Sequence, residues 1–247
     1  MWQYDPSIDS WSQKADLPGD GRIGAAGFVI ATKGYLGTGQ NDIYYYDDFW
    51  EYDSDANIWM QKANFPGGKR SFSFAFAIES KGYIGGGSTT SAKKDFWEYD
   101  TSTDSWTQKT DYGGGKISGA NGFVIADKAY IGTGRDNDLA YRDDFWEYDP
   151  ITDIWTQKAD FAGGVRAGSI GFSINNLGYL CLGYVLDTNY NDFWQYNFGT
   201  DSWIQKSDYP ESGYATGISI DGKGFMGTGD DIGNHWWEYD PDTLATI

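Results

Sequence analysis

The 247-residue sequence has one cysteine, Cys181, and one histidine, His235. A single thiol excludes an intramolecular disulfide and any zinc or iron–sulfur site built from several cysteines. A single imidazole removes every mechanism that needs two. Basic residues are scarce as well: 18 Lys and Arg stand against 36 Asp and Glu, a net charge of −18. Such a surface repels phosphate backbones, which argues against nucleic acid and anionic membranes as partners. No apolar run approaches the roughly 18–20 residues of a membrane span, and helical periodicity is missing throughout. What the chain has in plenty is glycine, at 34 residues, and aromatic rings, with 12 Trp, 19 Tyr and 14 Phe. At this length it buries a substantial core without covalent staples.

The rings fall in register. Trp-[Glu/Gln]-Tyr-[Asp/Asn] begins at Trp2, Trp50, Trp97, Trp146, Trp194 and Trp237, spaced 48, 47, 49, 48 and 43 residues apart. A second Trp follows nine residues after each of the first five, at Trp11, Trp59, Trp106, Trp155 and Trp203. Trp236 fills the slot held by Phe49, Phe96, Phe145 and Phe193. One copy reads as four short strands, at 25–31, 35–39, 49–53 and 58–62, with Asp, Ser, Pro and Asn in the last turn. Four antiparallel strands recurring at this period predict an all-β fold, a β-propeller of four-stranded antiparallel blades. One blade cannot cover both its faces, so large rings fill the wedges between neighbours. Glycines at the end of the second strand let backbones approach near the axis.

The repeat units run approximately over 1–14, 15–62, 63–109, 110–158, 159–206 and 207–247, the first and last partial, within one domain. Five blades are expected, closed by the N-terminal fourth strand around Trp11 joining the C-terminal copy, where Thr246 stands in the second Trp slot. The third strand is then present twice, at 2–5 and 237–240. One copy is displaced, swapped or paired elsewhere; the surplus also fits a section of a longer array.

A Gly-rich second strand, a Tyr in the third and a Trp in the fourth resemble the kelch repeat. More closely, the chain is similar to kelch-type arrays of secreted or surface proteins of Bacteroidetes-like bacteria. The resemblance covers nearly the whole sequence and departs from the family in copy number, since kelch propellers usually have six or seven blades. It implies an extracellular or cell-surface location. Some kelch-like propellers are enzymes. Copper-radical oxidases of this architecture need two histidine ligands, which His235 alone does not supply. Kelch-type sialic acid mutarotases imply a Glu and an Arg near the axis, and Glu211 is the one candidate Glu in an inter-blade link.

Function belongs where the copies differ, because repeated positions are committed to packing. Outside the repeat-locked tyrosines stand Tyr44, Tyr45, Tyr46, Tyr141, Tyr184 and Tyr190 in second-to-third-strand loops, and Tyr214 at the start of the last blade. All five arginines map to the face that carries these loops and the inter-blade links. Arg22, Arg70 and Arg166 occupy one slot before the first strand, filled by Ile117 and Tyr214 in the other copies; Arg135 and Arg142 lie in the third blade's loop. The expected site is a cup floored by Arg and rimmed by Tyr, suited to carboxylates and sugar rings or apolar side chains. The competing reading has Arg pairing with loop aspartates and Tyr packing the loops.

Two acidic clusters, Asp136, Asp138, Asp143 and Asp144, and Asn41, Asp42, Asp47 and Asp48, raise calcium, but neither has EF-hand spacing. Asp48, Asp95, Asp144 and Asp192 recur before the strand aromatic, so turn capping is the simpler role and no cofactor is expected. Cys181 reads as a small buried hydrophobe. The five Gln-Lys pairs read as edge charges that discourage sheet aggregation.

These features describe a non-catalytic binding or scaffold module that recognises a protein or glycan through its variable face. The alternatives are a sugar-acid mutarotase or epimerase using Glu211 with a nearby Arg, and a structural spacer. In the last, the surplus third strand takes a strand-addition partner or a second copy. On the binding reading, replacing Arg22, Arg70 and Arg166 by Ala abolishes capture and leaves thermal stability nearly unchanged.

Overall fold

The computed structural model describes residues 1–210, 212, 215–229 and 233–242, and all regular structure among them is β. An N-terminal hairpin of β1 (Trp2–Asp5) and β2 (Ser10–Gln13) precedes the first blade. That blade is β3 (Ala26–Ile30), β4 (Lys33–Gly37), β5 (Phe49–Asp53) and β6 (Ile58–Lys62). The second is β7 (Ser71–Ile78), β8 (Lys81–Ser88), β9 (Phe96–Asp100) and β10 (Ser105–Lys109). The third is β11 (Asn121–Ile125), β12 (Lys128–Gly132), β13 (Phe145–Asp149) and β14 (Ile154–Lys158). In the fourth, β15 (Ile170–Ile174) and β16 (Leu177–Cys181) are followed by a small loop hairpin, β17 (Tyr184–Val185) and β18 (Thr188–Asn189). β19 (Phe193–Asn197) and β20 (Ser202–Gln205) complete it. The fifth blade shows β21 (Thr216–Ile220), β22 (Lys223–Gly229) and β23 (Gly233–Tyr239).

Each blade is an antiparallel meander paired in chain order, and the five blades form an all-β propeller. First strands β3, β7, β11, β15 and β21 line the axis as successive neighbours. Among the described residues no helix is long and apolar enough to cross a membrane.

The wedges are filled as the aromatic register requires. Phe49 meets Tyr99 and Trp106 of the second blade at 4.8 and 4.9 Å between ring centroids. Phe96 makes the same contacts with Tyr148 and Trp155, and Phe145 with Tyr196 and Trp203. Edge-to-face pairs of this kind add about 0.5–1.5 kcal/mol each beyond the area they bury. The second-strand glycine is the socket for the preceding blade: a Cβ at Gly82 would stand 2.0 Å from the Phe28 ring. Any side chain there pushes two blades apart.

A polar latch repeats at the junctions between the first four blades. Ala63, the residue after β6, donates its N–H to Asp104 and accepts from the Trp106 indole, both at 2.9 Å. Thr110 is held by Asp153 and Trp155, and Ala159 by Asp201 and Trp203. The same aspartates also accept the hydroxyls of Tyr99, Tyr148 and Tyr196. Each sits in the left-handed region, at φ 51, 56 and 48°, which Asp tolerates in tight turns.

Closure differs in manner from the sequence-based expectation. The N-terminal segment does join the C-terminal blade, but β2 stays paired with β1 and does not extend the β21–β22–β23 ladder. Contact is by ring faces: Tyr4 lies 5.7 Å from both Phe225 and Trp236, and Trp11 lies 5.3 Å from Trp236. On its other side the hairpin is latched to the first blade, since Ala15 is held by Asn57 and Trp59. The two copies of the third strand are therefore both used, β1 in the hairpin and β23 in the fifth blade.

Candidate functional site

Backbone pairing puts the inter-blade links beside the long loops: Ile23 pairs with Gln40, Ser118 with Arg135, and Arg142 with Arg166. The arginines thus share one face of the ring, as their slots implied. Four of the five are already committed. Arg70 is 1 % exposed, and both its terminal nitrogens bond the two oxygens of Asp95, at 2.8 and 2.9 Å. Its Nη1 also donates to the Gly86 carbonyl at 2.9 Å. Arg166 grips Asp192 and the Leu182 carbonyl, and Arg22 grips Asp48 and the Thr38 carbonyl. Tyr46 covers the Arg22 guanidinium and Tyr190 that of Arg166, each at 4.2 Å.

Where the third blade has Ile117 in place of Arg, Arg142 reaches Asp144 from the loop slot that holds Tyr46 and Tyr190 elsewhere, at 2.8–2.9 Å. The four carboxylates also accept the indole N–H of Trp50, Trp97, Trp146 and Trp194. Burial pushes Asp48 and Asp95 up, but hydrogen bonds from Arg22, Arg70 and the indoles outweigh it and hold both below the usual carboxylate range. Two expectations change. Arg22, Arg70 and Arg166 fasten the blade and do not floor a cup, and the recurring aspartates are their partners rather than simple turn caps. Removing one partner of such a buried pair costs about 3–5 kcal/mol.

At the axis, on the same face, lies a cavity of about 500 Å³. It opens into a channel of about 410 Å³ between the first strands. Arg135, Tyr45, Phe72 and Tyr184 stand at its mouth. Hydroxyls of Ser73, Ser88, Ser118 and Ser169 and the amides of Gln40 and Asn121 line its wall. Ser88 and Ser118 bond each other at 3.0 Å, Ser169 bonds Thr133 at 2.9 Å, and Asn121 donates to the Ser169 carbonyl. The Arg135 guanidinium, by contrast, has no ion-pair or hydrogen-bond partner among the described side chains, the only arginine in that condition. The described lining contains no Asp, Glu or His.

Successive amides rope the mouth together: Phe72 donates to the Gly24 carbonyl, Gly119 to Phe72 and Gly168 to Gly119, at 2.7–2.9 Å. All four residues have left-handed φ, between 57 and 70°. Glycine takes that conformation freely, whereas for Phe72 it is uncommon and strained by about 1 kcal/mol or more. Its ring is 42 % exposed at the opening. Phe72 escaped the sequence reading, yet the signal was present: two residues after the Arg slot the copies read Gly24, Phe72, Gly119, Gly168 and Thr216.

Of the residues singled out from the sequence, the cavity brings together Arg135, Tyr45 and Tyr184. Tyr141 stands behind Tyr184 at 5.9 Å and accepts the Leu186 N–H. Tyr44 projects away, exposed, and Tyr46, Tyr190 and Arg142 belong to the clamps. Tyr214 and Glu211 lie outside the described residues. Cys181 is buried against Met226, and burial pushes its thiol up. Among the described residues no three His, Cys, Asp or Glu side chains converge.

No family model matches the chain, and no curated protein does. Among solved structures it is similar to one titled "Structure of YjhT", with a TM-score of 0.75 and 16 % identity. The match covers 87 % of this chain and 74 % of that one. At that identity the likeness is one of fold: both are propellers.

Proposed function

We propose that the protein is a binding module for acidic carbohydrate, captured at the axial mouth, and we infer that its repeat is of the kelch type. The observation that carries this reading is Arg135, the one guanidinium without an ion-pair or hydrogen-bond partner among the described side chains, at the rim of a hydroxyl-lined cavity. A carboxylate offers it two parallel charge-assisted hydrogen bonds. Sugar hydroxyls exchange with the serine, Gln40 and Asn121 groups below, and the faces of Phe72, Tyr45 and Tyr184 suit a pyranose ring. The acid–base alternative would rest on Glu211, since the described lining offers no carboxylate or imidazole. An extracellular or surface location suits a glycan ligand and belongs to the same proposal.

Titration calorimetry against a panel of free sugar acids and their neutral counterparts tests it. Binding of an acid should weaken at least tenfold in Arg135→Gln and Phe72→Gly, with melting temperature nearly unchanged. Equal binding by Arg135→Gln, or preference for the neutral sugars, sinks the site. Proton exchange at the anomeric centre that disappears in Glu211→Gln would transfer the reading to the enzyme.

A further inference from the structure

Three structural positions that the repeat fills elsewhere have no occupant among the described residues where the ring closes. The first is a cavity of about 590 Å³ beside the fifth blade, lined by Phe193, Tyr209, Trp237 and Tyr239. In the preceding blades its counterpart is filled by the fourth-strand Trp: Trp106 sits on Phe49 and Phe65, Trp155 on Phe96 and Tyr112, and Trp203 on Phe145 and Phe161. Phe193 and Tyr209 are the matching pair, and β23 has no outer neighbour among the described strands.

The second is a latch. Asp9 and Trp11 occupy the slots of Asp104 and Trp106, and Asp9 accepts the Tyr4 hydroxyl as Asp104 accepts that of Tyr99. No linker residue is held between them among the described residues, and Trp11 is 45 % exposed. The third is the inner edge of β1. Lys14 donates to the Met1 carbonyl at 2.9 Å, so Met1, Gln3 and Asp5 bond toward β2. The alternation of an antiparallel ladder then turns the backbone groups of Trp2 and Tyr4 to the free side. On the axis the same break recurs, since β21 and β3 do not touch although the other first strands run neighbour to neighbour.

These openings follow the order of the repeat: fourth-strand Trp, linker, then first and second strands. We propose that they form one docking surface, and that its occupant is a polypeptide segment carrying a further copy of the repeat from its fourth strand through its second. Residues 58–88 of this chain show the pattern, with Trp59 in the fourth strand and Lys-Gly-Tyr-Ile-Gly in β8. The charge pattern fits as well: Lys81 pairs with Asp100 at 2.6 Å, and Asp5 is the corresponding carboxylate of β1, with no basic partner among the described residues. Edge pairing supplies affinity, and the Trp pocket supplies register.

A synthetic polypeptide copying residues 58–88, added to the intact protein, tests this. It should bind one to one, raise the melting temperature and shift the indole N–H resonances of Trp2 and Trp11. The same polypeptide with Trp59→Ala should bind at least tenfold more weakly. Absence of binding to protein whose spectrum shows the native fold overturns the proposal. So does equal binding of the Trp59→Ala polypeptide. If light scattering shows the protein dimerising by itself, with the same resonances moving with its own concentration, the occupant is a second copy and the proposal is likewise overturned.

Discussion

Arg70 shows how a charged residue in this chain becomes part of the scaffold. Its guanidinium is 1 % exposed and bridges the entry of β7, the carboxylate of Asp95 and the Gly86 carbonyl within the glycine run of β8. Three parts of one blade meet at a single side chain. Truncation would leave the Asp95 carboxylate half-buried, held by the Trp97 indole and its own backbone N–H without a compensating positive charge. Arg70→Ala should therefore cost about 3–5 kcal/mol, read as a lower midpoint in denaturant unfolding. Arg135→Ala should cost less than about 0.5 kcal/mol, as expected of a surface change. The slot alignment displayed the arginines but not their commitment. Arg and Asp recur 26, 25 and 26 residues apart in three copies, and in the third the pair survives with the Arg moved to position 142. That substitution of slot for slot, Ile117 with Arg142, was the legible sign of a pair rather than of a ligand floor.

At the scale of the element, the latch decides how blades hold together. The Trp of each fourth strand serves twice, its ring filling a wedge and its indole N–H holding the linker carbonyl. Trp106→Phe keeps most of the ring and loses the bond to Ala63. An unsatisfied, half-buried carbonyl of this kind costs about 1–3 kcal/mol. Trp11→Phe should cost well under ~1 kcal/mol by the same reasoning, because its indole has no described acceptor. Comparing the two melting temperatures checks the role of the latch directly. Strand positions and ring positions were legible because each depends on a local period and on contacts that recur every copy. The latch was not, because its two halves lie about 43 residues apart and one of them is backbone.

For the whole molecule, the net charge of −18 makes pH a strong variable. Asp48 and Asp95 have folded pKa values held below the ordinary carboxylate range, despite burial, by Arg22, Arg70 and the indoles. Groups lowered on folding contribute stability above their unfolded pKa, about 3.9 for Asp, and lose it as pH falls through the folded value. The melting temperature should hold from pH 7 to about pH 5 and fall below about pH 4. Asp95→Asn should lower the plateau, since Arg70 is left without its carboxylate, and make the acid limb shallower. Calorimetry across that range gives both readings.

Repetition by itself determined the propeller: strands, wedge aromatics and the glycine sockets follow from side-chain size and period, which each copy states again. Tertiary structure alone decided which arginines and aspartates are spent on clamps and which guanidinium lies outside them. It also decided that the N-terminal hairpin meets the fifth blade ring face to ring face. The reason is the same for both. A repeated pattern reports contacts that every copy makes. Arg135 without a partner among the described side chains, the left-handed Phe72 and the contact of the N-terminal hairpin with the fifth blade each occur once.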